Sequence, residues 1–273
     1  MFLEKIEMEL INSTFCDEVK SIVNEAVVFI RNERLSFNQS AVEYKGTNDL
    51  VSYVDKTAEK ILVDKLVLLI PDAGFITEEN TLSITAKDYC WIIDPLDGTT
   101  NFIHGLNCYC VSVALMYKNE LVLGVVHEVT SDECFYAWKD GGAYCNNKKI
   151  VVSSIDSLNQ SLIATGFPYT NYSRMEAYMR VFDYCMRNTH GLRRLGSAAM
   201  DLVYVAAGRM DAFYEYGLNA WDIAAGCIIL KEAGGKVTDF SGEENYLFGR
   251  EILATNSAIH HSFLKVIQEE FDS

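Results

Sequence analysis

Between residues 111 and 138 the chain carries three β-branched and aromatic runs, 111–116, 121–129 and 133–138, separated by short polar turns. This feature constrains the fold most, because strands joined by such short connections pair with their immediate neighbours, antiparallel. Lys118-Asn119 and Asp140-Gly141-Gly142 have hairpin-turn chemistry. An antiparallel meander is expected there. Upstream, Val19, Ile22, Val23, Ala26, Val27 and Ile30 recur at helical spacing. After a polar break through Asn38, Gln39 and Lys45 to Asp49, read as a loop, a second helix starts near Asp55. It carries Ala58, Ile61, Leu62, Leu66 and Leu69, and Pro71 ends it. The runs 75–76 and 90–93 read as strands leading into acidic residues. Downstream, helical patterns at 175–187, 198–207, 223–232 and 257–270 alternate with strand-like runs at 161–166, 211–214, 235–238 and 252–255. Gly234-Gly235 is a plausible helix stop. Helices layered on a mixed sheet define the α/β class. No linker divides the 273 residues, so residues 1–273 are read as a single domain.

Composition narrows the partners. Lys+Arg number 23 and Asp+Glu 38, giving 23 − 38 = −15. That charge is wrong for a nucleic-acid phosphate tracker and for an anionic membrane surface. Residues 98–117, the longest uncharged stretch, include Asn101, His104 and Asn107 and are too polar to span a bilayer. Glu4, Lys5, Glu7 and Glu9 break the apolar core that a signal peptide needs. A cytoplasmic location with reduced cysteines is therefore expected. Cys108 and Cys110 form a C-x-C pair, read as two buried thiols on one strand face.

The chemistry concentrates in residues 91–102, Trp-Ile-Ile-Asp-Pro-Leu-Asp-Gly-Thr-Thr-Asn-Phe. An apolar strand delivers Asp94, Pro95 forces an extended or turn geometry on it, and Asp97 and Gly98 follow. Two carboxylates this close repel unless a cation joins them, and hard divalent cations prefer such oxygen ligands. Taken singly, Asp94 and Asp97 could be a polar turn, Glu78-Glu79 a solvated pair, Asp222 an N-terminal helix charge, and Lys45 with Asp49 a surface pair. The recurrence of acidic residues at strand ends and helix starts is what argues for a metal site.

The motifs Asp49-Leu50-Val51 with Asp55, Glu78-Glu79, the 94–102 run, Gly196-Ser197-Ala198-Ala199 and Trp221-Asp222-Ile223-Ala224-Ala225-Gly226 occur in this order across most of the chain. The set resembles the inositol monophosphatase family, lithium-sensitive Mg²⁺-dependent phosphatases. The resemblance implies a five-layered αβαβα sandwich and a homodimer that hydrolyses a small phosphorylated metabolite. It implies two to three Mg²⁺ per subunit. Glu78, Asp94 and the Leu96 carbonyl would hold the first, Asp94, Asp97 and Asp222 the second, and Glu78 would help place a third. Asp49 and Thr99 would orient and deprotonate the attacking water. The amides of Gly98 and Thr99 would receive the phosphate. Gly196, Ser197, Ala198 and Glu215 would line the substrate hydroxyls.

The leading expectation is hydrolysis of myo-inositol monophosphate. NADP(H) 2′-phosphate, fructose 1,6-bisphosphate or another sugar phosphate is the alternative, with a non-catalytic metal-binding module third. Where relatives often carry Gly and Ser around the Glu pair, this chain has Thr77 and Asn80. Thr77 could alter loop mobility or affinity for the third metal. Arg193-Arg194 resembles bacterial members and could contact substrate, a partner subunit or solvent. The five histidines have no metal spacing.

Overall fold

The computed structural model describes residues 11–37, 42–46, 49–79, 88–169 and 171–271, and for 42–46 and 49–51 only the backbone. The expected meander is present and extends further than the sequence suggested. Strands β1 (Val42–Gly46) and β2 (Asp49–Ser52) form a separate antiparallel pair. The large sheet then contains β3 (Gly74–Thr77), β4 (Tyr89–Asp97), β5 (Cys110–Tyr117), β6 (Glu120–Glu128), β7 (Glu133–Trp138), β8 (Gly142–Cys145) and β9 (Lys148–Ile150). Its spatial order is the chain order, and β3 and β4 alone run parallel. Lys118 and Asn119 take φ of 46° and 69°, the left-handed pair that a tight turn between twisted strands requires. Asn146 and Asn147 repeat it at 45° and 65° and create the β8–β9 hairpin, which the sequence reading did not anticipate.

A second sheet combines β10 (Leu162–Thr165), β11 (Gly191–Arg193), β12 (Ala212–Tyr216), β13 (Lys236–Thr238) and β14 (Glu251–Thr255). Its order is β11-β10-β12-β14-β13, with β10 parallel to both neighbours and the rest antiparallel.

Strand alternation sorts side chains into layers. In the large sheet Trp91, Ile93, Val111, Val113 and Leu115 face the helices α1 (Ser13–Ser36) and α2 (Tyr53–Leu69). Their alternates Cys90, Ile92, Cys110, Ala114 and Met116 face the other way. There they meet α5 (Ala198–Ala206) and α6 (Ala220–Glu232), which also contact Ala164, Phe213 and Ala254 of the second sheet. The outer face of that sheet, with Ile163, Tyr214 and Leu253, is closed by α4 (Met175–Asn188) and α8 (His260–Phe271). The stack is helices, sheet, helices, sheet, helices, the expected αβαβα order. The short helices α3 (Thr99–His104) and α7 (Tyr246–Gly249) complete the set.

Several expectations need correction. The polar break before the second helix holds β1 and β2, so Lys45 and Asp49 lie in paired strands rather than a loop; Asn38 and Gln39 lie outside the described residues. Helix α6 begins at Ala220 rather than 223, because Asn219 and Asp222 form a reciprocal cap. Helix α8 begins at His260 rather than 257, since Ser257 is left-handed at φ 75°. Cys108 does not share a strand face with Cys110: it precedes β5 with φ 72° and is half-buried. All eight thiols are free. No helix among the described residues is long and apolar enough to cross a membrane.

Candidate active site

Strand β4 explains how two aspartates three residues apart face one way. Opposite β5, Asp94 pairs with Ser112 and Asp97 with Cys110, so three steps on one strand match two on the other. One extra residue bulges out between them, at Pro95-Leu96, where proline's missing donor costs no ladder bond. In a regular strand residues i and i+3 point to opposite faces, and the bulge restores the phase. Asp94 and Asp97 both line one cleft of about 210 Å³. Gly98 then turns the chain at φ 92°, and a Cβ there would lie 2.9 Å from the Cys108 carbonyl oxygen.

The cleft gathers nearly every site residue expected from the sequence. Its walls include Glu78 after β3, Asp94, Leu96 and Asp97 of β4, Gly98, Thr99 of α3, Gly196, Ser197, Ala198 of α5, Glu215 of β12 and Asp222 of α6. Asp49 opens β2, and its side chain lies outside the described residues, as does Asn80. The hydroxyl of Thr99 is 3.0 Å from Oδ1 of Asp55 and 2.9 Å from the Leu96 carbonyl oxygen. Asp55 itself is buried and accepts from the Ser52 amide (2.9 Å) and hydroxyl (2.7 Å), capping α2. The sequence reading saw Asp55 only as a helix start and motif member.

At least one oxygen of each of the three cleft aspartates is held by the protein. Asp94 Oδ1 accepts from the Leu96 amide at 3.0 Å. Asp97 Oδ2 accepts from the Ser197 hydroxyl and the Ala199 amide, both at 2.7 Å, which fixes the start of α5 against β4. Asp222 Oδ2 accepts from the Asn219 amide at 2.6 Å. Asn101 donates to the carbonyls of Cys108 (2.7 Å) and Leu195 (2.9 Å), tying α3 to the segment leading into Gly196.

The far wall is also acidic. Gly166 leaves room for Glu215: a Cβ there would fall 2.0 Å from Oε2. Arg194 donates to the Tyr169 hydroxyl at 3.0 Å, and both line the cleft, so the structure places this arginine at the site. Asp201, in the first turn of α5, lines the cleft too, and among the described residues its Oδ1 has no hydrogen-bond partner. A charge in the first helical turn is ordinary, so nothing in the sequence marks Asp201.

Burial and mutual repulsion distort these acids together. Burial holds Asp94 well above the usual carboxylate range, and Glu78, Asp97 and Asp222 push it further. Burial raises Asp97 to about 6 against the pull of the Ser197 hydroxyl and the Ala199 amide. It raises Asp222 to about 7, with Asp97 adding to the shift. Glu215 is pushed up to about 8 by burial, opposed by Arg194. Among the described residues no three such side chains close into a ready metal cage. The donor chemistry nevertheless fits a hard divalent cation: four carboxylates that disfavour one another's charge line a single cleft.

The comparisons agree with this geometry. The family model described as "Inositol monophosphatase family" matches residues 15–271. An inositol-1-monophosphatase of Mesorhizobium japonicum is 40% identical over 230 residues, 84% of this chain and 86% of that protein. A putative Nus factor SuhB of Neisseria meningitidis serogroup B is 42% identical over 237 residues, covering 86% and 91% of the two chains. The crystal structure of the extragenic suppressor protein SuhB from Bartonella henselae superposes with a TM-score of 0.87 at 35% identity, covering 94% of this chain and 99% of that one. With matches along nearly the whole chain in both sequence and fold, this protein belongs to the inositol monophosphatase family.

Proposed function

We propose that the protein hydrolyses a small phosphate monoester, myo-inositol monophosphate foremost, to the free alcohol and phosphate. The observation that carries this reading is the bulge in β4, which turns Asp94 and Asp97 onto one cleft with Glu78 and Asp222. Glu78, Asp94, the Leu96 carbonyl, Asp97 and Asp222 would hold two to three Mg²⁺. Bound there, the cations supply Lewis-acid stabilisation of the phosphoryl group and acidify the attacking water.

The chain's own groups do the positioning on which phosphoryl transfer depends. Thr99 orients the water, steadied by Asp55, and Asp49 is assigned to accept its proton. The first amides of α3 have no intrahelical acceptor, which suits the Gly98-Thr99 turn to phosphate oxygens. Gly196, Ser197, Ala198 and Glu215 face the leaving alcohol. No nucleophilic Ser or Cys is assigned, so water attacks directly. The proposed unit is a homodimer.

The acidic far wall favours a neutral polyol over a polyanion. Glu215 and Asp201 stand there with Arg194, so fructose 1,6-bisphosphate and NADP(H) 2′-phosphate are the weaker substrates. Relatives carry the name Nus factor, but a charge of −15 speaks against direct phosphate-backbone binding here. The test is phosphate release by purified protein from inositol, sugar and nucleotide phosphates, with Mg²⁺ and with chelator. Chelator-sensitive release from inositol 1-phosphate is expected, with the higher kcat/KM against NADP. Silence across the panel overturns the reading, and Mg²⁺ binding without turnover would favour a non-catalytic module.

A further inference from the structure

One turn beyond Asp55, helix α2 buries a second carboxylate that none of the assigned roles uses. Glu59 is fully buried. Its Oε1 accepts from the Thr77 hydroxyl at 3.1 Å, and its Oε2 from the Glu79 amide at 2.8 Å. The two donors are the residues immediately before and after Glu78. The Glu78 amide is in turn bonded to the Ile93 carbonyl at 3.3 Å, one residue before Asp94. A buried carboxylate is costly unless its oxygens are satisfied, and here part of that satisfaction comes from the loop that carries Glu78. Thr77 is itself buried, so water does not compete for its hydroxyl.

We propose that Glu59 is a positioning residue for Glu78, acting through the Thr77 hydroxyl and the Glu79 amide. Asp55 and Glu59, four residues apart, share a face of α2. One holds Thr99, the other brackets Glu78, so a single rigid helix sets the distance between the water-orienting hydroxyl and the end of β3. A Gly at position 77 would supply no hydroxyl to Glu59, so this chain's Thr77 adds a bond to the Glu78 loop. The role rests on the reading of Glu78 as a Mg²⁺ ligand. Outer carboxylates that orient a ligand act mainly on metal affinity, so the effect falls on the Mg²⁺ requirement more than on turnover at saturating Mg²⁺.

The experiment is calorimetric titration of the full chain with Mg²⁺, paired with phosphate release as a function of Mg²⁺ concentration. Thr77→Val keeps the β-branched shape and removes the donor. It is expected to weaken Mg²⁺ binding and raise the half-maximal Mg²⁺ concentration by about tenfold, with kcat at saturating Mg²⁺ within about twofold. Thr77→Ser, which keeps the hydroxyl, should stay close to the parent. Glu59→Gln should match Thr77→Val, and the double variant should be no worse than either single one. Unchanged Mg²⁺ affinity in Thr77→Val, with Glu78→Gln clearly weakened, overturns the positioning role alone. Unchanged affinity in Glu78→Gln overturns the metal reading of Glu78 itself. Should Glu59→Gln fail to fold, the Val and Ser pair at position 77 still decides the matter.

Discussion

The Thr99 hydroxyl rests 3.0 Å from a carboxylate oxygen of Asp55, 44 positions earlier, and that same carboxylate caps α2 through Ser52. One buried acid thus joins the start of a helix to the turn that follows Asp97. Asp55→Asn keeps the size and removes the charge that steadies Thr99. We expect kcat to fall by about a hundredfold, KM to stay within about twofold, and stability to drop by about 1–2 kcal/mol from the weakened cap. Steady-state kinetics with chemical denaturation checks both. Parent-like kcat would show that Thr99 is oriented without Asp55.

Asp94→Asn should separate activity from stability. Asp94 is buried beside Glu78, Asp97 and Asp222, all raising its pKa, so neutralising it relieves repulsion while removing a proposed metal ligand. Phosphate release should fall by about a thousandfold or more. Without Mg²⁺, melting should rise by a few degrees, as about 1 kcal/mol gives in a chain of this size. Near-parent turnover would sink the ligand assignment.

Mg²⁺-free protein should lose stability as pH rises. Asp97 and Asp222 titrate at about 6 and about 7 in the fold, mainly through burial, against 3.8 unperturbed. A pKa raised by folding means the native state binds protons more tightly. The associated stability is full below about pH 4 and is lost as pH climbs through 6 and 7, at up to about 1.4 kcal/mol per pH unit per carboxylate. Melting without Mg²⁺ should therefore fall between pH 5 and 8. Saturating Mg²⁺ binds the deprotonated acids and should flatten or reverse that trend. A rise with pH in the absence of Mg²⁺ contradicts the cluster's electrostatics.

Glu215 should act on substrate choice more than on the chemical step. Glu215→Gln is expected to raise KM for inositol 1-phosphate by about tenfold and to narrow its advantage over NADP. Gly166→Ala should do much the same from the opposite side, because its Cβ would intrude to 2.0 Å from Oε2. Matched kcat losses with unchanged KM in both variants would place Glu215 in the reaction rather than in recognition.

The parts of this fold legible in sequence were those with strong periodicity or turn chemistry. The meander, helices α1 and α2 and the 94–102 run all announce themselves locally. The β1–β2 pair did not: Val42-Glu43-Tyr44-Lys45 alternates apolar and polar, but over only four residues set in a polar stretch, too short a run to stand out. The site contacts of Asp55, and Glu59 and Asp201 altogether, escape the sequence for a different reason. On a helix a carboxylate near a lysine, such as Glu59 beside Lys60, has the pattern of a solvated face. Its burial is decided by β3 and β4, which lie elsewhere in the chain. Pro95 hinted at irregular geometry, but only the register against Ser112 and Cys110 shows that the irregularity brings two carboxylates onto one side.

The bonds from Ser197 and Ala199 to Asp97 span 100 and 102 positions. During synthesis the first sheet is complete long before its partners leave the ribosome. Until residues 197–222 arrive, Asp97 lacks the Ser197 and Ala199 donors and Asp94 lacks Asp222 as a neighbour. The cleft, walled by residues from 78–100 and from 166–250, is complete only when the second half lands. A chain cut in the exposed stretch near Val151 should yield two inert pieces. Their mixture would regain phosphate release only by docking, which makes turnover a direct gauge of whether the halves have met.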